Sequence, residues 1–270
     1  MSALTKHEGN EGLWHTVFAD GHPVLAGKQK RYSMLPGTPR CRLCHAPFGG
    51  IGGWVLRMRG LRASDRNPNY CNACDGFLDA FPGGAEVPMS MMMVDIRNSV
   101  LLSANTSPTN FAKLVTAMRG DILDILARTD GFVLEYQGDS VFAVWPPGFL
   151  GANHAEKALE AAELAAQVAS SPGHHAAGVG MAVHTGKIFI GTVSAPGGRM
   201  QGIGAFGLDV NLLARLTHAA RAGEVLVSTD TFKAAGRPVP VEKIRTEMLK
   251  GIDHPVEAVV LGTATPALTE

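Results

Sequence analysis

The sequence predicts an α+β domain preceded by a small unit stapled by a metal, on three observations. From about residue 86 onward, apolar runs suited to strands alternate with helical periods. All four cysteines of the chain fall in two Cys-x-x-Cys pairs between residues 41 and 74. Phe81-Pro82-Gly83-Gly84 interrupts the chain between these two textures and sets a domain boundary near 85. The expected organisation is a lead-in over 1–40, a four-cysteine head over 41–85 and a larger domain over 86–265.

Composition narrows the class. In 270 residues, 46 % apolar and 18 % charged usage excludes intrinsic disorder, a collagen-like chain and a heptad-dominated rod. Lys plus Arg (24) cancels Asp plus Glu (24), which removes the field that drives non-specific binding to nucleic acid or anionic membranes. No stretch approaches the roughly 18–20 apolar residues of a membrane span, and MSALTKHEGNEGLW has no apolar signal-peptide core. A cytoplasmic protein is therefore expected, with no membrane partner, and in a reducing compartment paired cysteines point to metal before disulfides.

Residues 1–40 show turn formers and charges without a sustained period. Val87–Val94 (VPMSMMMV) is an unalternating apolar run, the pattern of a strand covered on both faces, and it ends at Asp95. Ser107-Pro108 reads as an N-cap with proline at the first helical position, and Phe111, Leu114, Val115, Met118, Ile122 and Ile125 continue one helical stripe. Phe132-Val133-Leu134 and Val141–Trp145 flank Gln137-Gly138-Asp139, a hairpin with a carboxylate at its tip. Ala158, Ala162, Ala165 and Ala169 make a thin-faced helix. Two strands are then expected, Gly178–His184 and Lys187–Val193, turning at Thr185-Gly186. A glycine-bearing loop around Pro196-Gly197-Gly198, a helix from about Asp209 to Ala220 and strands at Glu224–Ser228 and Val256–Leu261 complete the reading.

Cys41, Cys44, Cys71 and Cys74 form two knuckles that can close a tetrahedral zinc site, although the 26 residues between knuckles exceed the usual spacing. Four thiolates leave no open position, so the zinc would be structural. An iron–sulfur cluster uses the same ligands and is the alternative. His45 reads as a surface histidine, and the arginines between the knuckles as a solvated face. Asp95 at a strand end and Asp139 at a hairpin tip come together if their strands are neighbours, and two close carboxylates call for cations between them. An aspartate at a turn equally serves local backbone hydrogen bonds. Asn211 and Arg215 lie four apart on one helix face, an amide and a permanent cation suited to a sugar and a phosphoryl oxygen. Taken alone, that pair also fits a surface ion-pairing helix.

Together, Val94–Ser99 (VDIRNS), Gln137–Trp145 (QGDSVFAVW), Gly178–Gly186 (GVGMAVHTG) and Val210–Leu216 (VNLLARL) resemble, in order and separation, the catalytic domain of class III nucleotidyl cyclases. Gly223–Ser228 matches as well, the resemblance covers roughly 86–262, and a cysteine-rich head resembles a bacterial subgroup. It implies a ferredoxin-like βαββαβ palm domain that converts a nucleoside triphosphate to a 3′,5′-cyclic nucleotide and pyrophosphate. By the same resemblance Asp95, Asp139 and the Ile96 carbonyl would hold two Mg or Mn ions, and amides around Asn98 and Ser99 would cradle phosphate. Asn211 would orient the ribose, Arg215 would neutralise charge at the α-phosphate, and Lys250 in Leu249-Lys250-Gly251 would bind phosphate. The metal carboxylates and the Asn/Arg pair would come from different subunits of a head-to-tail homodimer.

Three positions depart from the adenylate cyclase pattern. Glu135 stands where those enzymes place a lysine that donates to adenine; a carboxylate accepts only, which suits the N–H groups of guanine. Gly204 stands at the other base-reading position and supplies only space and backbone; pyrimidine cyclases of the same superfamily also depart at base-reading positions, so the resemblance implies guanine or a pyrimidine over adenine. The family's Gly-Asp-x-Val-Asn becomes Gly207-Leu208-Asp209-Val210-Asn211, with the aspartate shifted by one. Two rivals are a cyclase fold that binds nucleotide without turnover, and a zinc head that binds nucleic acid through Arg57, Arg59, Arg62 and Arg66.

Overall fold

A computed structural model describes residues 10–171, 178–194 and 201–263. The first nine residues, the Pro196-Gly197-Gly198 loop and the expected domain end at 264–265 lie outside the described residues.

In chain order the elements are α1 (Glu11–His15), running into a π-helical turn over Thr16–Asp20, α2 (Pro23–Ser33), α3 (Gly50–Met58) and α4 (Asn72–Ala80). β1 (Gly84–Ile96), α5 (Ser99–Ala104), α6 (Pro108–Arg128), β2 (Phe132–Gln137), β3 (Ser140–Trp145), α7 (Pro147–Leu150) and α8 (His154–Ala169) follow. β4 (Val179–Ser194), β5 (Gln201–Phe206), α9 (Leu208–Ala219), β6 (Val225–Ser228), α10 (Thr229–Ala234), β7 (Ile244–Glu247) and β8 (Val256–Leu261) complete the chain. The architecture is α+β, as expected.

The chain divides into two compact units. The first takes residues up to Val87, Pro147–Gly151 and Phe189–Phe206. Within it Trp14 stacks on Phe18 at 5.5 Å, Phe18 meets Phe149 at 5.6 Å, and the Trp14 indole donates to the Phe81 carbonyl at 3.0 Å. The described part of the lead-in is largely helical and contributes core, which its polar α2 stripe concealed. In the same unit the end of β4 pairs antiparallel with β5, Gly191 opposite Gly204. Sequence reading made this segment loop because of its glycines. The strand needs one of them, since a Cβ on Gly204 would lie 2.5 Å from Val193 Cγ2.

The second unit takes Pro88–Pro146, Ala152–Ile188 and the chain from Gly207 onward. Its sheet runs β2-β3-β1-β4-β6-β8-β7. β1 lies antiparallel to β3 with Val94 opposite Val141, and β4 is parallel to β6 with Met181 opposite Val225. Met89, Met91 and Met92 of β1 are buried, the unalternating pattern a two-sided strand requires. α6 begins as expected: the Ser107 side chain accepts from the Asn110 N–H, with Pro108 at the first turn. The buried Ala158, Ala162 and Ala165 let α8 lie close to the sheet. One expectation fails here. The two strands with a turn at Thr185-Gly186 are a single strand, β4, in which the Thr185 hydroxyl bonds Ser90 at 2.7 Å and Thr231 at 3.2 Å. Thr-Gly resembles a turn locally, but those side-chain bonds and the sheet hold it extended.

Candidate functional site

The site in the second unit starts where two strands run out. Val94 opposite Val141 places Asp95 at the end of β1 beside Asp139 in the β2–β3 turn, and the two carboxylates feel each other's charge. The hairpin tip is braced from α6: the Arg119 guanidinium donates to the Gly138 carbonyl and lies 4.7 Å over the Tyr136 ring. Gly138 takes φ +56°, the left-handed conformation this tight turn needs.

Burial holds the Asp95 carboxyl above its ordinary range; the Arg97 guanidinium opposes that shift and the Asp139 charge adds to it. Arg97 pairs with Asp95 Oδ2 and donates to the His218 carbonyl at 3.2 Å. Gly180 leaves room for it, since a Cβ there would fall 2.8 Å from Arg97 Nε. Asp139 Oδ2 is buried and has no hydrogen-bond partner among the described residues. A buried carboxylate oxygen without a donor, next to a second carboxylate, is a donor set for a hard divalent cation, so the residues fit Mg or Mn.

The other expected residues fall as follows. Ile96 is buried at the end of β1, and Asn98, at φ +53°, precedes Ser99 at the start of the six-residue α5. Glu135 is exposed on β2, at a register irregularity opposite β3. Asn211 and Arg215 project from the exposed face of α9, while Leu212, Leu213 and Leu216 are buried. Neither has a side-chain hydrogen bond or ion pair among the described residues. Lys250 is exposed in a turn ahead of Gly251. Gly204 belongs to β5 in the first unit.

The first unit holds the four thiols. Cys41, Cys44, Cys71 and Cys74 are buried and not joined by disulfides, and their sulfurs all lie within 4.8 Å of one another. Cys44 and Cys71 Sγ are 3.6 Å apart; a tetrahedron with Zn–S bonds of about 2.3 Å has edges of roughly 3.8 Å, so the residues fit zinc. The Cys71 N–H donates to Cys41 Sγ at 3.3 Å and the Cys74 N–H to Cys71 Sγ at 3.4 Å, bonds that favour thiolates. Hydrogen bonds from the neighbouring thiols hold Cys71 below the ordinary thiol range. Tyr70, immediately before Cys71, is buried; burial pushes its hydroxyl up to about 12, and it accepts the Ile203 N–H of β5 at 3.4 Å. His45 is half-buried and its Nδ1 lies 3.2 Å from the Ser33 hydroxyl, outside the thiol cluster. Arg57 and Arg59 are exposed, Arg62 pairs with Asp65, and Arg66 pairs with Asp75 and Asp79. Two of the four arginines are thus partly neutralised locally.

Residues 85–260 match the adenylate and guanylate cyclase catalytic-domain family. The chain belongs to that family. Adenylate cyclase 1 of Rhizobium meliloti (strain 1021) is 29 % identical to this cyclase-family chain over 138 residues, 47 % of its length; the chain spans 20 % of that relative. Among solved structures the guanylyl cyclase Cya2 aligns with a TM-score of 0.51 and 24 % identity, covering 68 % of this chain and 96 % of that one. The adenylyl cyclase CyaB from P. aeruginosa aligns at 0.52 and 21 %, covering 69 % and 99 %. The guanylate cyclase domain of RhGC from Catenaria anguillulae, solved in complex with GTP, aligns at 0.52 and 17 %, covering 66 % and 97 %. These likenesses establish the cyclase fold.

Two features of this cyclase-family site escaped sequence reading. The VDIRNS motif contains Arg97 without giving it a role, though a cation two residues from a strand-end aspartate is the signal for its ion pair. The contacts of Asp209 were also missed, and its displacement from the family pattern was the signal for them. Among the described residues no helix is long and apolar enough to cross a membrane.

Proposed function

We propose that the chain cyclises a nucleoside triphosphate to a 3′,5′-cyclic nucleotide and pyrophosphate. The observation that carries this reading is the approach of Asp95 to Asp139, whose buried Oδ2 has no donor among the described residues, in a chain of the cyclase family. Asp95, Asp139 and the Ile96 carbonyl would hold two Mg or Mn ions, which when bound supply an activated ribose oxygen and a charge clamp on the triphosphate. Backbone amides at Asn98 and Ser99, together with Lys250, would bind phosphate. Asn211 would orient the ribose by hydrogen bonding, and Arg215 would neutralise charge at the α-phosphorus as pyrophosphate leaves. Loss of such a charge partner typically lowers turnover by about 10²–10³.

The base is guanine or a pyrimidine in this proposal, since Glu135 accepts hydrogen bonds and Gly204 adds no side chain. Asn211 and Arg215, exposed and unengaged among the described residues, support a head-to-tail homodimer in which they complete the partner's site. The organisation proposed is the lead-in over 1–40, the head over 41–85 holding structural zinc, and the cyclase domain over 86–265, in a cytoplasmic protein. A second reading, nucleotide binding without turnover, is favoured by one observation, the Arg97 ion pair that already engages Asp95. Incubation with Mn and each of ATP, GTP, UTP and CTP separates them. Cyclic product and pyrophosphate from any one supports catalysis, and no product from all four overturns it in favour of a silent module.

A further inference from the structure

The shifted aspartate of α9 has partners of its own. Asp209 Oδ2 accepts the Lys187 backbone N–H at 2.6 Å, and Oδ1 lies 3.3 Å from His184 Nε2. His184 is 2 % exposed, and its Nδ1 lies 2.8 Å from the Ser228 hydroxyl. A carboxylate only accepts, so Nε2 carries the proton shared with Asp209, and in the neutral ring Nδ1 accepts from Ser228. Ser228 lies in turn 3.2 Å from the Thr231 hydroxyl, which fixes its rotor. The order Ser228, His184, Asp209 has the composition of a hydrolytic triad, but Ser228 is 1 % exposed and no substrate carbonyl reaches it. The three residues join β6, β4 and α9.

Gly186 is part of the same contact. A Cβ there would stand 2.3 Å from Asp209 Cγ, so the carboxylate reaches β4 only because residue 186 has no side chain. Among the described residues the start of α9 has no other side-chain tie: Gly207, at φ +143°, precedes the helix without a side-chain cap. Leu208, where the family carries its aspartate, is 65 % exposed. Successive helical residues turn by about 100°, so a carboxylate at 208 would meet His184 and Lys187 only if α9 rotated by about that angle. Asn211 and Arg215 would then face a different direction.

We propose that Asp209, clasped by His184 and the Lys187 amide, is a positioning residue that sets the rotation of α9 and hence the direction in which Asn211 and Arg215 project. Its catalytic consequence rests on the cyclase reading; the clasp itself does not.

The test compares wild type with Asp209→Ala, Asp209→Asn and the double variant Leu208→Asp/Asp209→Ala, which restores the family order. Steady-state kinetics are measured on the triphosphate turned over best, alongside amide hydrogen exchange at Lys187 and across 208–213. Asp209→Ala is expected to lose about 10- to 100-fold in kcat, the cost of misplacing reacting groups by about an ångström, with KM within about threefold. Asp209→Asn keeps an acceptor for the Lys187 N–H, and its amide N–H₂ can donate to Nε2 in the other neutral tautomer of His184, so it recovers most of the loss. The double variant stays as slow as Asp209→Ala. Wild-type kcat in the double variant overturns the proposal, as does unchanged exchange in Asp209→Ala. If wild type makes no cyclic product, the cyclase reading has failed, and exchange alone decides the clasp: faster exchange at Lys187 in Asp209→Ala upholds it, and equal exchange overturns it. Should Asp209→Ala fail to fold, Asp209→Asn compared with a refolded double variant carries the same contrast.

Discussion

Replacing Asp139 by Asn separates the fold's interest from the site's. Asp139 Oδ2 is buried with no donor among the described residues and beside a second carboxylate. A buried polar atom left unsatisfied costs about 1–3 kcal/mol. The residue is only half-buried, so the lower end applies. Asparagine removes the like charge and offers an N–H₂ that can donate toward Asp95. Without added divalent cation, Asp139→Asn is therefore expected to melt higher than wild type by about 2–4 °C, the equivalent of about 1 kcal/mol in a domain of this size. Added Mn reverses the order. At a hundred times its dissociation constant a ligand stabilises by about 2.7 kcal/mol, so wild type should gain roughly 5–11 °C while the variant, lacking one carboxylate, gains under about 2 °C. Thermal denaturation of both proteins with and without Mn, the head metal retained throughout, reads all four values. A variant that melts lower without Mn, or gains as much as wild type with it, would refute the assignment of Asp139 as a metal ligand.

Other expectations follow from the same geometry. Because the Asp95 pKa is raised in the fold, its protonated form is favoured there: the metal-free chain gains stability below the unfolded value and loses that contribution as pH rises through the raised one. Protons then compete with Mn at a higher pH than for an unperturbed aspartate, and Mn titrations followed by melting should show affinity falling about tenfold per pH unit below the raised value; a pH-independent affinity contradicts this. Glu135→Lys should move base selectivity toward ATP by about 10- to 100-fold, the worth of one charged hydrogen bond at about 1.5–3 kcal/mol, and unchanged selectivity would show that residue 135 does not read the base. Removing the head metal, or making Cys71→Ser, should release one bound metal per chain in a colorimetric zinc assay and increase exchange at the Ile203 amide that Tyr70 accepts; a brown protein that releases iron would replace zinc by a cluster, and unchanged exchange would sever the head from β5.

How far these elements were legible depended on whether local and tertiary signals agreed. At Ser107-Pro108 the cap, the proline and the apolar stripe all point to one helix, and α6 starts there. The β2–β3 hairpin was equally plain, because two apolar runs flank a Gly-Asp turn. At Thr185-Gly186 local chemistry favoured a turn, while hydrogen bonds to Ser90 and Thr231 and the approach of Asp209 favoured an extended strand. Those partners lie far away in sequence, so no window around residue 185 reveals them. β5 was hidden for a related reason: its glycines read as loop, yet a side chain at Gly204, which lies opposite Gly191, would run into the neighbouring Val193 Cγ2. The aspartates were findable because each ends a strongly apolar strand or hairpin, and the Arg97–Asp95 pair is local enough to be read from the same segment, whereas the His184–Asp209 contact depends on how α9 and β4 are brought together.

The most direct measurement is complementation between Asp139→Ala and Arg215→Ala, each inactive alone. In a head-to-tail dimer the mixed pair contains one site with both defects and one with neither, and random mixing makes half of all dimers mixed. Co-refolded or co-expressed variants should therefore recover about a quarter of wild-type turnover. Activity that stays at the level of the single variants would contradict a site shared between two copies of this chain.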